Sequence, residues 1–296
     1  MNTYTIRPYV YYDEKYPSHW ISPDVAKRIA SLLESMEFEV VNADETKKLM
    51  EKAITASLRE EIVIVFSQDV IPEKLVDNPS SPTANSLIRR FLNNGHSVVW
   101  LGDIPLLHVG FSNGEKRTLT NVIAQQVLDL NPNIPSVSVP VRHTWFGYML
   151  QLPTWVGTRP HKGLTSRTDR TKFTPLSISS HGVHAFIVSY YKGPVDTEFP
   201  FTFSGFIRVY DMVLDKTEKL SENMIRGIVN VVFRNPMFHT WIVVQEMQKR
   251  IHNLEEELRI SFDTLKSELD NLGKILNQIL KLVKKGAKPK SQSTSS

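Results

Sequence analysis

The chain has 296 residues, 41% hydrophobic and 22% charged, with a net charge of +4. That is ample material for the core of one large domain or two small ones, and so small a charge leaves any nucleic-acid or membrane binding to a local patch. The absence of cysteine excludes disulfides, thiolate metal sites and cysteine nucleophiles together.

Residues 5–12 (TIRPYVYY) are β-rich and predict a first strand. Ser22-Pro23 is an N-cap followed by proline at the first helical position. It opens a helix to about residue 36, with Val25, Ile29, Leu32, Leu33 and Met36 on one face. A short strand at 38–42 and a helix at 44–56 follow. Residues 61–67 (EIVIVFS) form a continuous apolar run, the pattern of a strand buried on both faces. Ser81-Pro82 predicts a third helix ending at Gly95, and 96–101 (HSVVWL) a further buried strand. Strands alternating with helices imply a parallel sheet with right-handed crossovers and helices on both faces.

Beyond Asp103 the pattern loosens. Residues 117–130 predict a helix after a glycine-bearing loop, and 137–141 a strand. Residues 142–175, rich in Thr, Pro, Arg and aromatics, predict a long loop. Strands are expected at 184–191 and 205–210, joined as a hairpin, and a helix at 221–233.

Asn235-Pro236 then opens the last helix, residues 236–287, before a polar tail at 288–296 that reads as disordered. Its apolar residues are Val244, Met247, Ile251, Leu254, Leu258, Phe262, Leu265, Leu269, Leu272, Leu276, Ile279 and Val283. The spacings of three and four make a heptad seam with one stutter at Leu254–Leu258–Phe262. A helix of about 50 residues is roughly 75 Å long, so the seam predicts a coiled coil between copies of the chain.

Residues 61–68 and 95–105 (GHSVVWLGDIP), with 205–211 (GFIRVYD) before a helix, resemble the strands of flavodoxin-like domains of the class I glutamine-amidotransferase type. The resemblance covers 1–235 and implies an α/β, flavodoxin-like fold. The nucleophile of that group is a cysteine, which this chain lacks, so the resemblance is to a branch without amidotransferase activity.

In open α/β sheets ligands bind beyond the carboxyl ends of the strands, where strand order reverses. For order 2-1-3-4-5 this places Asp13, Ser67, Asp69 and Asp103 around one crevice, as a candidate ligand site or as caps and turn residues. Segment 142–172 interleaves cations with aromatics, and Arg142, Trp145, Arg159, Lys162, Arg167 and Arg170 suit a phosphate-bearing ligand or nucleic acid. His181 and His184 stand three apart at a strand entry, the pattern of paired turn histidines rather than of a metal site. No cofactor, no metal site and no catalytic residue are expected. No window approaches roughly 18 uninterrupted apolar residues, so no membrane span is expected; nor is a signal peptide, and the expected location is cytoplasmic. Three functions fit: a soluble homo-oligomeric scaffold or ligand-binding protein on a catalytically silent domain, a hydrolase using strand-end carboxylates, or a nucleic-acid binder using the basic segment.

Overall fold

A computed structural model of the chain describes residues 5–55, 60–131, 136–163, 173–190, 205–234 and 236–286. The chain divides into two units, Met1–His239 and Thr240–Ser296. In order, the elements are β1 (Thr5–Tyr11), α1 (Pro23–Glu34), β2 (Glu39–Val41), α2 (Ala43–Thr55), β3 (Glu60–Phe66), β4 (Ile71–Pro72) and α3 (Leu87–Asn93). Next come β5 (Ser97–Trp100), β6 (His108–Gly110), β7 (Lys116–Thr118), α4 (Asn121–Gln126), β8 (Val139–Pro140), β9 (Arg142–His143), α5 (Trp145–Met149) and β10 (Val156–Gly157). The domain closes with β11 (Phe173–Ser179), β12 (Gly182–Val188), β13 (Phe206–Arg208) and α6 (Glu222–Phe233), and α7 (Pro236–Gly286) follows.

The fold is α/β, with an eight-stranded sheet in the order β2-β1-β3-β5-β13-β12-β11-β9. The first five strands in that order run parallel, which is the flavodoxin-like arrangement, and the last three add on antiparallel. The register carries Tyr9 beside Ile64, Ile64 beside Val98 and Val98 beside Phe206. Both faces are apolar because both are covered. Tyr11, Ile64, Phe66, Val98 and Trp100 form one core with Met50 and Ala53 of α2 and Ile88, Phe91 and Leu92 of α3. The alternate residues Val10, Val63, Val65 and Val99 are equally buried, because successive side chains point to opposite faces.

Local capping chemistry sets two of the helix starts. The Ser22 hydroxyl accepts from Val25 N at 3.3 Å ahead of Pro23, and the Ser221 hydroxyl accepts from Met224 N at 3.2 Å. Val25, Ala26, Ile29, Ala30 and Leu33 give α1 one buried stripe. The described helix α7 has 51 residues. Its seam residues Ile251, Leu254, Leu258, Phe262, Leu265, Leu269, Leu272, Leu276 and Ile279 are all more than half exposed in the single chain.

Four expectations need correction. The third helix begins after Ser86, not at Ser81-Pro82. The Asp77 carboxylate accepts from Thr83 N and from the Thr83 and Ser86 hydroxyls, folding this stretch into a loop. Residues 117–130 are not one helix: β7 occupies Lys116–Thr118, and α4 is confined to Asn121–Gln126. The strand expected at 137–141 is only β8, Val139–Pro140. The segment 142–175 is not a structureless loop, because β9, α5, β10 and the start of β11 lie within it. Arg167, Arg170, Asn235 and the tail at 288–296 fall outside the described residues.

Candidate functional site

The chain segments leaving β1, β3 and β5 meet at the carboxyl edge of the parallel strands. Asp69, fully buried after β3, is their organiser. Its Oδ1 accepts from His19 N at 2.8 Å, and its Oδ2 accepts from Trp20 N at 2.8 Å and Asp103 N at 3.3 Å. One carboxylate thereby fixes the segment after β1 and the one after β5. Burial pushes this carboxyl above its ordinary value, against the pull of those N–H bonds. Gly102 has a φ of +79°, and a Cβ there would come within 3.0 Å of Asp69 Oδ2. Glycine is what permits this approach.

Asp103, also fully buried, holds the centre. Its Oδ2 lies 2.9 Å from His19 Nδ1 and 3.4 Å from His108 Nε2, and its Oδ1 accepts from Ile104 N at 2.7 Å. Burial alone would raise its carboxyl. The contacts with His108 and Ile104 N, the Arg159 charge and His19 together hold it below the ordinary value. The two imidazole rings stand 4.0 Å apart. Burial, then the neighbouring His108, keep His19 below the usual histidine value. The His19 side chain is 31% exposed and that of His108 only 4%, so the cluster opens to solvent on the His19 side.

Arg159 reaches the same point from the segment after β10. Its guanidinium lies 4.0 Å from Asp103 Oδ1 and stacks 4.8 Å from the centre of the Trp20 ring. Its backbone is clamped: N donates to Asp211 Oδ2 at 2.9 Å, and O accepts from buried Arg208 Nη1 at 2.7 Å. Asp211, just past β13, also accepts from Trp155 Nε1 at 2.8 Å. His184 Nδ1 lies 2.7 Å from Asp211 Oδ2, and His184 Nε2 lies 2.9 Å from the Ser179 hydroxyl. Ser179, His184 and Asp211 therefore stand in the order of a nucleophile, base and orienting acid. His184 and Asp211 are fully buried, while Ser179 is partly exposed at the end of β11.

The four strand-end residues picked from the sequence divide in two. Asp69 and Asp103 belong to this cluster. Asp13 accepts from Lys15 N at 3.0 Å and Ala43 N at 3.1 Å, a turn and the start of α2. The Ser67 hydroxyl donates to Tyr11 O at 2.8 Å inside the sheet. Both are structural. Of the basic segment, Arg159 turns into the cluster, whereas Arg142, Trp145 and Lys162 are exposed. His19, His108 and Arg208 were missed. His19 lies 84 positions before Asp103, and His108, close after Asp103 in the chain, forms no recognised ligand motif with it. His181 and His184 do not act as a pair: His181 is exposed on the β11–β12 turn and His184 is buried against Asp211.

A family model described as the MJECL34 family matches residues 7–235. The chain belongs to the MJECL34 family. It is 38% identical over 280 residues to the uncharacterized protein MJECL34 of Methanocaldococcus jannaschii, covering 93% of this chain and 91% of that protein. The family match runs from within β1 to past α6 and takes in every residue of the strand-end cluster. No solved structure matches the chain. Among the described residues, no helix is long and apolar enough to cross a membrane.

Proposed function

We propose that this chain is a self-assembling ligand-binding protein, whose α/β domain takes a small anionic molecule at the strand ends. One observation carries the reading: His19 from the segment after β1, Asp103 and His108 from the segment after β5, and Arg159 from the segment after β10 converge on one partly exposed point. That point lies at the edge where open α/β sheets bind ligands. Arg159 supplies the cation, held against Trp20 and Asp103 with its side chain 26% exposed. The resemblance to a silent amidotransferase-like domain is compatible with this reading, and the parallel order β2-β1-β3-β5-β13 supports it. Native mass spectrometry of mildly purified full-length protein tests it. The expected result is a bound small molecule that Arg159→Met releases. Protein that carries nothing, and gains no thermal stability from phosphate or carboxylate compounds, would count against it.

Self-assembly is supported by α7. From Ile251 to Val283 every seam position is exposed in the single chain, a stripe larger than monomers ordinarily leave uncovered. Each leucine-sized side chain buried contributes about 1.5–3 kcal/mol. Light scattering on the full-length chain should give an oligomer, and Leu265→Glu with Leu272→Glu should dissociate it.

A hydrolytic reading draws on a separate observation, the Ser179–His184–Asp211 relay. Carboxylates alone serve it less well, because Asp13 and Asp69 are occupied by backbone N–H groups. Ester hydrolysis abolished by Ser179→Ala with the fold unchanged would favour it. Nucleic-acid binding is less supported, because Arg159 turns inward to the cluster.

A further inference from the structure

We infer that the strand-end cluster is a site for a divalent transition-metal ion, with His19 Nδ1, Asp103 Oδ2 and His108 Nε2 as its protein ligands. The inference rests on the proposed reading of this edge as the ligand site, and it names what the anion would meet there.

The first support is spacing. The three donor atoms all lie within 4.8 Å of one another. Asp103 Oδ2 is 2.9 Å from His19 Nδ1 and 3.4 Å from His108 Nε2. With metal–ligand bonds of about 2.0–2.1 Å, adjacent ligands sit about 2.9 Å apart on an octahedron and about 3.4 Å apart on a tetrahedron. Both separations from Asp103 Oδ2 thus match those between ligands of one bound ion.

The second support is an unmet polar atom. His108 Nε2 is buried and makes no hydrogen bond. The other ring nitrogen, Nδ1, lies 3.0 Å from the Thr118 hydroxyl. In the tautomer whose Nδ1 donates to that hydroxyl, Nε2 presents its lone pair on the side of Asp103 Oδ2, where a cation can accept it. A metal-bound histidine ordinarily gives its second N–H to such a partner, which fixes the tautomer.

The third support is rigidity. Asp69 holds both His19 N and Asp103 N, and Trp100 Nε1 donates to Asp103 O at 3.1 Å. Two imidazoles with one carboxylate suit zinc, iron, cobalt or nickel. They do not suit calcium or magnesium, which take oxygen ligands. Positions left open on the ion would face the His19 side, where Arg159 stands beside Asp103. An anion could then bind metal and guanidinium together.

The test uses full-length protein stripped with chelator and dialysed. Titration with Co²⁺ and Zn²⁺, followed by calorimetry and by the visible absorption of cobalt, should show one ion per chain, with zinc displacing cobalt. Asp103→Asn and His108→Ala should abolish the cobalt spectrum. Because either could disturb the core, Thr118→Val is the second variant. Thr118 is exposed on β7, and its loss should weaken binding about 10-fold or more with circular dichroism unchanged. Binding equally tight in all three folded variants, or no binding to the parent chain, would overturn the inference. Inorganic phosphate is titrated in parallel, with and without zinc. Phosphate bound equally well by protein that takes up no metal would overturn the metal site and leave the ligand site standing. An ion lost in the variants would support the metal site even where phosphate fails to bind.

Discussion

Replacing Glu61 by glutamine should destabilise the α/β domain by about 3–5 kcal/mol, the cost of breaking a buried ion pair from one side. Glu61, at the start of β3, pairs with Arg234 past the end of α6, and the two side chains are 1% and 4% exposed. Glu61 Oε1 also accepts from the Ser97 hydroxyl at 2.5 Å, and that hydroxyl accepts from Gly205 N at 2.9 Å. One network therefore joins the starts of β3 and β5 to the residue before β13 and to α6. Arg234 has a left-handed backbone, φ 48° and ψ 63°, which costs an L-residue roughly 1–2 kcal/mol. An arginine occupies a position suited to glycine because its guanidinium answers Glu61. Glutamine keeps the shape of the side chain and removes only the charge. The guanidinium is left buried without its carboxylate, so the loss appears as stability. Urea unfolding followed by tryptophan fluorescence, at matched protein concentration, should show a lower midpoint at unchanged slope. The double variant Glu61→Leu, Arg234→Met should recover most of the loss, since an apolar pair of similar volume commonly replaces a buried ion pair without penalty. A loss below about 1 kcal/mol for Glu61→Gln, the range of exposed pairs, or a double variant no better than the single, would refute the reasoning.

Asp69→Asn should cost about 2–4 kcal/mol, since one carboxamide end must present N–H to N–H where the carboxylate accepts three backbone bonds. Denaturant midpoints check this, and hydrogen exchange should locate the loosening in residues 13–21. Gly157→Ala should destabilise by about 1–3 kcal/mol or more, because its Cβ would lie 2.1 Å from His184 Nδ1; unchanged thermal stability would show that His184 can move away from Asp211. Acid sensitivity should come in part from His96, whose Nδ1 accepts from Ile62 N while Nε2 faces Ala53 O, both at 3.2 Å. Burial holds this ring below the ordinary histidine value. The unfolded chain therefore binds the proton first as pH falls through about 6.5, and stability drops below that pH by at most roughly 1.4 kcal/mol per unit. A His96→Gln variant should show a shallower acid slope in unfolding midpoints between pH 7 and pH 5.

What could be read from the chain alone was whatever local periodicity dictates. The continuous apolar runs in 61–67 and 96–101 mark strands covered on both faces, and β3 and β5 are those strands, adjacent and parallel. Ser22-Pro23 and Ser221 mark helix starts through bonds that close within one turn. The heptad spacing from Val244 onward lies within α7. Ser81-Pro82 misled because the same local chemistry was outcompeted by Asp77, which binds Thr83 and Ser86 across the loop. Only the tertiary structure decided the site. Asp13, Ser67, Asp69 and Asp103 look alike as short polar residues after strands, and which of them meets His19, His108 and Arg159 depends on packing. Counting charges in 142–172 could not tell that Arg159 turns inward while Arg142 stays outside. His19 lies 84 positions before Asp103 and joins Asp103 and His108 only because the parallel sheet brings the segments after β1 and β5 together by strand order, and strand order is set by which apolar faces bury each other, not by distance along the chain.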